Sequence, residues 1–205
     1  MSFIEEMKSR RSIRKYKKDP VPLETLRALI EAAAYAPSAH NAQPWRFIAL
    51  TEPQDKEDLA TAMGQVWLKV LEADQIPQNV RRQTVNRSVK RFASAPALIL
   101  ACLSMEDMDK YPDAERQQIE RDLAVQSLCA AVQTFLLAAH AEGLGACWYC
   151  APAFCGASVR EVLDIPEGVE PQALMTVGYP DEKPEMPPRK PVVDYAYSRR
   201  WGNLL

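Results

Sequence analysis

Glycine is scarce in this chain, with seven in 205 residues, and several function classes go with it. The sole Gly-x-Gly, Gly143-Leu144-Gly145, follows a helical pattern and opens a strand-like run. That order is the reverse of a dinucleotide fingerprint, and no Gly-x-x-x-x-Gly-Lys-Ser/Thr occurs, so Rossmann and nucleoside-triphosphate readings fall away. Gly-x-Ser-x-Gly is missing too, and with only His40 and His140 a hydrolase triad has little to draw on. Charge of one sign is also lacking. Lys plus Arg total 25 against 27 acids, for a net charge of -2, so no global field draws the chain to nucleic acid or an anionic membrane, and any anion site must be local. Apolar runs fall short of the roughly 18 to 20 residues of a membrane span. The start, Met-Ser-Phe-Ile-Glu-Glu, fits neither a secretory signal nor a transit peptide. Five cysteines make an odd count, mostly within apolar runs, as expected of reduced thiols in a cytoplasmic protein without a disulfide framework.

What is present suits one globular domain over 1–205 with a substantial core, at 47% hydrophobic and 25% charged residues. Spacings of three and four over 23–36, between prolines, predict an amphipathic helix. Trp45–Leu50 reads as a strand, 54–73 and 77–94 as helices, and the apolar run Ala97–Leu103 as a strand covered on both faces. Residues 104–114 read as a loop. From Glu115 to Glu142 the pattern predicts a central buried helix ended by Gly143 at a left-handed cap. A strand at Ala146–Cys150, a helix at 156–163 and a strand at Ala173–Gly178 complete a mixed helix and sheet architecture. Five prolines between Pro180 and Pro191 make the tail an extended arm that needs a surface to lie on.

Two features concentrate chemistry. Lys8–Lys18 holds seven basic residues in eleven with no acid. Within it Arg10, Arg11, Ser12 and Arg14 supply planar forks and a hydroxyl suited to a phosphate, and an extended backbone sends Arg10, Ser12 and Arg14 to one side. A solvated basic face is the plain alternative. The second feature is Ala36-Pro37-Ser38-Ala39-His40-Asn41-Ala42-Gln43-Pro44-Trp45. Ser38, Asn41 and Gln43 offer donors and acceptors suited to a heterocycle, with Trp45 as a candidate wall, while simple turn punctuation is the competing reading.

Taken together, Arg-Arg-Ser-x-Arg and Ala-Pro-Ser-x-x-Asn-x-Gln-Pro-Trp about 25 residues later resemble the nitroreductase-like FMN family. Gly143–Trp148, Val177–Pro180 and Pro187-Pro188-Arg189 extend the resemblance over nearly the whole chain. It implies an α+β fold, a mixed, mostly antiparallel sheet sandwiched by helices, and an intertwined homodimer with FMN at the interface. It further implies that Arg10, Arg11, Ser12 and Arg14 hold the phosphate and ribityl chain and that Arg189 closes on the phosphate. Pro37, Ser38, Ala39, Asn41 and Gln43 would line the isoalloxazine, and the backbone of Trp148, Tyr149 and Cys150 would approach its reactive nitrogen. No side chain need act as a nucleophile. NAD(P)H and a small acceptor such as a nitroaromatic, quinone or enone would use one face in turn, giving ping-pong turnover; a flavin or deazaflavin binding protein, or a reductase of a deazaflavin-coenzyme intermediate, is the alternative.

Met63–Trp67, the basic stretch to Arg91 and Tyr111–Arg116 look like the C-terminal flavin domain of deazaflavin-coenzyme glutamyl ligases, without a ligase domain ahead of the motif. That likeness makes 64–94 a helical insertion over the site, with Arg81, Arg82, Arg87, Lys90 or Arg91 available to an anionic substrate, or simply solvated. No metal is expected at Cys147-x-x-Cys150-x4-Cys155: along a strand Cys147 and Cys150 face opposite ways and no fourth ligand is near. His140 reads as a capping or core residue.

Overall fold

A computed structural model describes residues 2–205. Helix α1 (Phe3–Ser9) begins at a capping box, in which Ser2 Oγ accepts from Glu5 N–H and the Glu5 carboxylate accepts from Ser2 N–H. The sequence pattern Ser-x-x-Glu carries that signal, but a seven-residue helix is too short for periodicity to reveal. After it come α2 (Leu23–Ala33), β1 (Trp45–Leu50), α3 (Pro53–Ala73), α4 (Gln78–Ala93), β2 (Ala97–Ser104) and α5 (Ala114–Ala141). The chain continues through β3 (Gly145–Tyr149), α6 (Ala151–Phe154), α7 (Gly156–Val162) and β4 (Val169–Gly178).

The strands lie in the order β1-β2-β4-β3, and every neighbouring pair is antiparallel. The parallel component is confined to the isolated bridge Ser12–Ala146, by which the basic segment adds itself to the free edge of β3. β4 starts four residues before the expected Ala173 because Pro171, which reads as a strand breaker, sits where the β2–β4 register shifts and costs no ladder bond there.

β2 is buried along its whole length, and its side chains divide two cores by simple alternation. Ala97, Ile99, Ala101 and Leu103 face α2 and α5, whereas Leu98, Leu100 and Cys102 face the layer of α3, α4 and α7. Helices therefore sandwich the sheet, as the α+β expectation requires. Asp113 caps α5 by accepting from Arg116 N–H, and Gly143 ends its C-terminal turn with φ of +74°. By length and composition α5 is the one helix among the described residues apolar enough to cross a membrane, contrary to the expectation that no stretch is. In the fold it packs against α2 and the sheet.

The proline-rich arm has no regular element beyond a short turn at Val192–Asp194, and most of it is exposed. Val192, Val193, Tyr195, Trp201, Leu204 and Leu205 are exposed. Phe3, Ile4 and Met7 of α1 are likewise exposed.

Candidate functional site

The Arg10–Arg14 segment is held in an extended course by long-range bonds. Ile13 N–H donates to Ala146 O at 3.1 Å, Lys17 N–H to Tyr179 O at 2.9 Å and Asp181 N–H to Lys15 O at 3.0 Å. Tyr16 reinforces this, its hydroxyl bonding Ile13 O and, at 2.7 Å, Thr176 Oγ1. Glu182 accepts from the backbone N–H groups of Arg14 (2.6 Å) and Lys15 (3.0 Å). At the other end, Ser9 Oγ lies 2.6 Å from His140 Nε2, which also faces Glu6, so His140 ties α1 to the end of α5.

This frame gathers positive charge without neutralising it. Burial and the nearby Arg189 guanidinium both depress the Arg10 pKa, with Arg11 adding to the effect. Thus the two ends of the chain meet: the arm brings Arg189 beside Arg10. None of the ion pairs among the described residues uses Arg10, Arg11, Arg14 or Arg189. Arg11 turns its Nη1 back onto the carbonyls of Lys8, Ser9 and Arg10, capping α1, and leaves its buried Nε without a partner.

Buried polar atoms are nearly always paired, so orphans mark places to look. Among the described side chains there are three: Arg11 Nε, Trp148 Nε1 and Tyr149 Oη. All belong to the basic segment or the end of β3. Cys150 lies just beyond that strand and is exposed, while Cys147 is buried.

The polar turn from Pro37 to Gln43 is strained. His40, Asn41 and Gln43 have φ of 54°, 54° and 49°, a region costly for residues with a Cβ. Bonds to α5 hold it: Ala39 N–H donates to Ser127 Oγ at 3.1 Å, and His40 Nε2 lies 3.2 Å from the buried Glu120 carboxylate and 3.8 Å from Asp109. Ser38 Oγ accepts from Gln43 N–H, closing the turn. His40, Asp109 and Glu120 are also the one group of three metal-ligand-type side chains brought within 4.8 Å among the described residues; the cysteines form no such group. Nothing local in the sequence connects these three. Asn41 and Gln43 are exposed. Trp45 is not a pocket wall, for it is buried in the core shared with α2 and α5.

Within one chain the two halves of the expected site do not meet. The turn docks at Ser127 and the basic segment at His140, thirteen residues along α5, or about 20 Å of helix. They also flank opposite edges of the sheet, the turn leading into β1 and the segment lying on β3.

Residues 7–179 match the family model described as Nitroreductase family. A Methanothermobacter thermautotrophicus protein, provisionally named an NADH dehydrogenase/NAD(P)H nitroreductase, is 31% identical over 186 residues, covering 90% of this chain and 80% of that one. A solved BluB-like flavoprotein from Clostridium difficile superposes with a TM-score of 0.80 at 24% identity, covering 98% of this chain and all of its own. Iodotyrosine deiodinase, solved with FMN and 3-iodo-L-tyrosine, superposes with a TM-score of 0.73 at 25% identity over 96% and 100% of the two chains.

Proposed function

Because the chain belongs to the nitroreductase family, we propose that it is an FMN-dependent oxidoreductase that takes electrons from NAD(P)H and passes them to a small nitroaromatic, quinone or enone in the cytoplasm. What carries the reading is the unneutralised basic segment with Arg189: the Arg189 guanidinium is near enough to lower the pKa of Arg10, and Arg10, Arg11, Arg14 and Arg189 join none of the ion pairs among the described residues. Like charges at this proximity are unfavourable unless an anion joins them, and the fork geometry suits a phosphate monoester. The orphaned Nε of Arg11 fits the same group. FMN, when bound, supplies the two-electron chemistry.

The chain's own residues do the rest. Arg10, Arg14 and Arg189 hold the phosphate, with Ser12 adding its hydroxyl and Arg11 chiefly fixing the segment's course. The backbone of Trp148, Tyr149 and Cys150 borders the ring system. Pro37, Ser38, Ala39, Asn41 and Gln43 serve the isoalloxazine of a second protomer, since about 20 Å of helix separates them from the phosphate residues of their own. A two-fold homodimer therefore completes two equal sites and gives the exposed arm and α1 a surface to cover. His40, held by Glu120, keeps the strained turn in place.

The test begins with the visible spectrum of freshly purified protein and mass identification of any released ligand; a yellow protein releasing FMN is the expected result. Steady-state oxidation of NADH and NADPH with a panel of acceptors follows. Parallel double-reciprocal lines are expected from one shared binding face, whereas intersecting lines would show both substrates bound together and end the ping-pong assignment.

A further inference from the structure

A cavity of about 430 Å³ opens in the other helical layer, between the α3–α4 hairpin and the end of β3. Met63, Val66 and Trp67 of α3, Phe92 of α4 and Phe154 of α6 give it apolar walls. None of Arg10, Arg11, Ser12, Arg14, Arg189 or the 37–43 turn borders it, and it shares only Tyr149 with the cofactor residues.

Polar groups on its wall are few and unspent. The Tyr149 ring borders the space, while its hydroxyl is buried beneath the surface beside Cys147. Arg91 stacks over the Tyr149 ring, its guanidinium carbon 5.7 Å from the centroid, and joins no ion pair among the described residues. Phe92 packs edge-on against the same ring at 5.0 Å, fixing its plane. Burial pushes the Tyr149 phenol up to about 12, so near neutrality it carries no charge to oppose an anion. Ser88 adds a hydroxyl at the wall. Of the basic residues in the helical hairpin, Arg81 is engaged with Glu72, and Arg91 is the one that reaches this space.

We propose that this cavity binds a planar, apolar molecule bearing one carboxylate, with Arg91 gripping the carboxylate and Ser88 donating a second bond. An apolar box with convergent donors and no acidic group matches such a ligand, and a single planar fork suits a carboxylate better than the more highly charged phosphate. The flavin reading bears only on the ligand's use: beside a flavin at the Tyr149 backbone it is the electron acceptor. Binding itself stands without that reading.

2-Naphthoate and uncharged 2-naphthylmethanol are the probes, titrated calorimetrically into the intact protein while flavin content is read from absorbance. Wild type is expected to bind the acid at least about ten-fold tighter than the alcohol. Arg91→Met removes that preference with little change for the alcohol, Arg91→Lys restores part of it, and Ser88→Phe blocks both probes while thermal melting shows the variants folded. Equal affinity of acid and alcohol for wild type, or undiminished binding by a folded Ser88→Phe, overturns the proposal. A colourless protein that still prefers the acid upholds the cavity and overturns the flavin reading instead.

Discussion

The Arg189 guanidinium on the proline-rich arm lowers the pKa of Arg10 on the basic segment, a repulsion that an anion bound between them would relieve. Arg189→Ala or Arg14→Ala removes a charge-assisted contact of about 1.5 to 3 kcal/mol, so FMN affinity falls about ten-fold or more in each. Fluorescence titration of apoprotein with FMN measures this, and unchanged affinity in both variants contradicts the phosphate assignment. Asp113 illustrates a different electrostatic role. It accepts from the Arg116 backbone N–H and Nε, bonds that hold its carboxyl below the usual carboxylate range. A depressed folded-state pKa contributes stability above the unfolded value and loses it as pH falls through the folded one. The melting temperature of Asp113→Ala should therefore lie furthest below wild type near neutrality, with the gap narrowing below about pH 4. A gap that stays constant down to strongly acidic pH would show that the charge contributes nothing.

Among the elements, β3 is the narrowest point of the design. Its first residue, Gly145, is buried directly against Ile13, and an added Cβ would come within 2.7 to 2.8 Å of three Ile13 side-chain atoms. Ile13 is itself branched and buried, so neither partner can yield cheaply. Gly145→Ala is expected to cost about 1 to 3 kcal/mol of stability and, by displacing Arg10–Arg14 from the strand edge, to weaken FMN binding as well. Denaturant unfolding paired with FMN titration tests the coupling. Stability lost with FMN affinity intact would show that the segment's position is independent of this contact. Elements like this were unevenly legible from the residues alone. The two faces of β2, the length of α5 and the cap at Gly143 follow from local periodicity and a single glycine. The short helices α1 and α6 span less than two turns, too little for a period to register, and the Pro171 end of β4 is masked because its bulge exists only once β2 pairs with it.

For the whole molecule, the decisive fact is that the two halves of the proposed site, the polar turn and the basic segment, anchor on one chain's α5 with about 20 Å of helix between them. A homodimer is the expected solution state, and deleting residues 191–205, which keeps Arg189 but removes the exposed Tyr195, Trp201, Leu204 and Leu205, should shift the chain toward monomer and lower FMN content in parallel. Sedimentation velocity with absorbance at flavin wavelengths follows both. A monomer that retains a full complement of FMN would mean that the turn at 37–43 serves no partner.

Composition and pattern alone indicated a mixed helix and sheet architecture with a local basic segment and a polar turn before its first strand, because helix and strand periods and short motifs are encoded within a few residues of one another. Strand order, the meeting of Arg10 with Arg189, the anchoring of His40 on Glu120 and the cavity beside Tyr149 belong to the tertiary structure. Each joins residues from well-separated parts of the chain, and which of them come together depends on how the packed layers close, a choice no local pattern records.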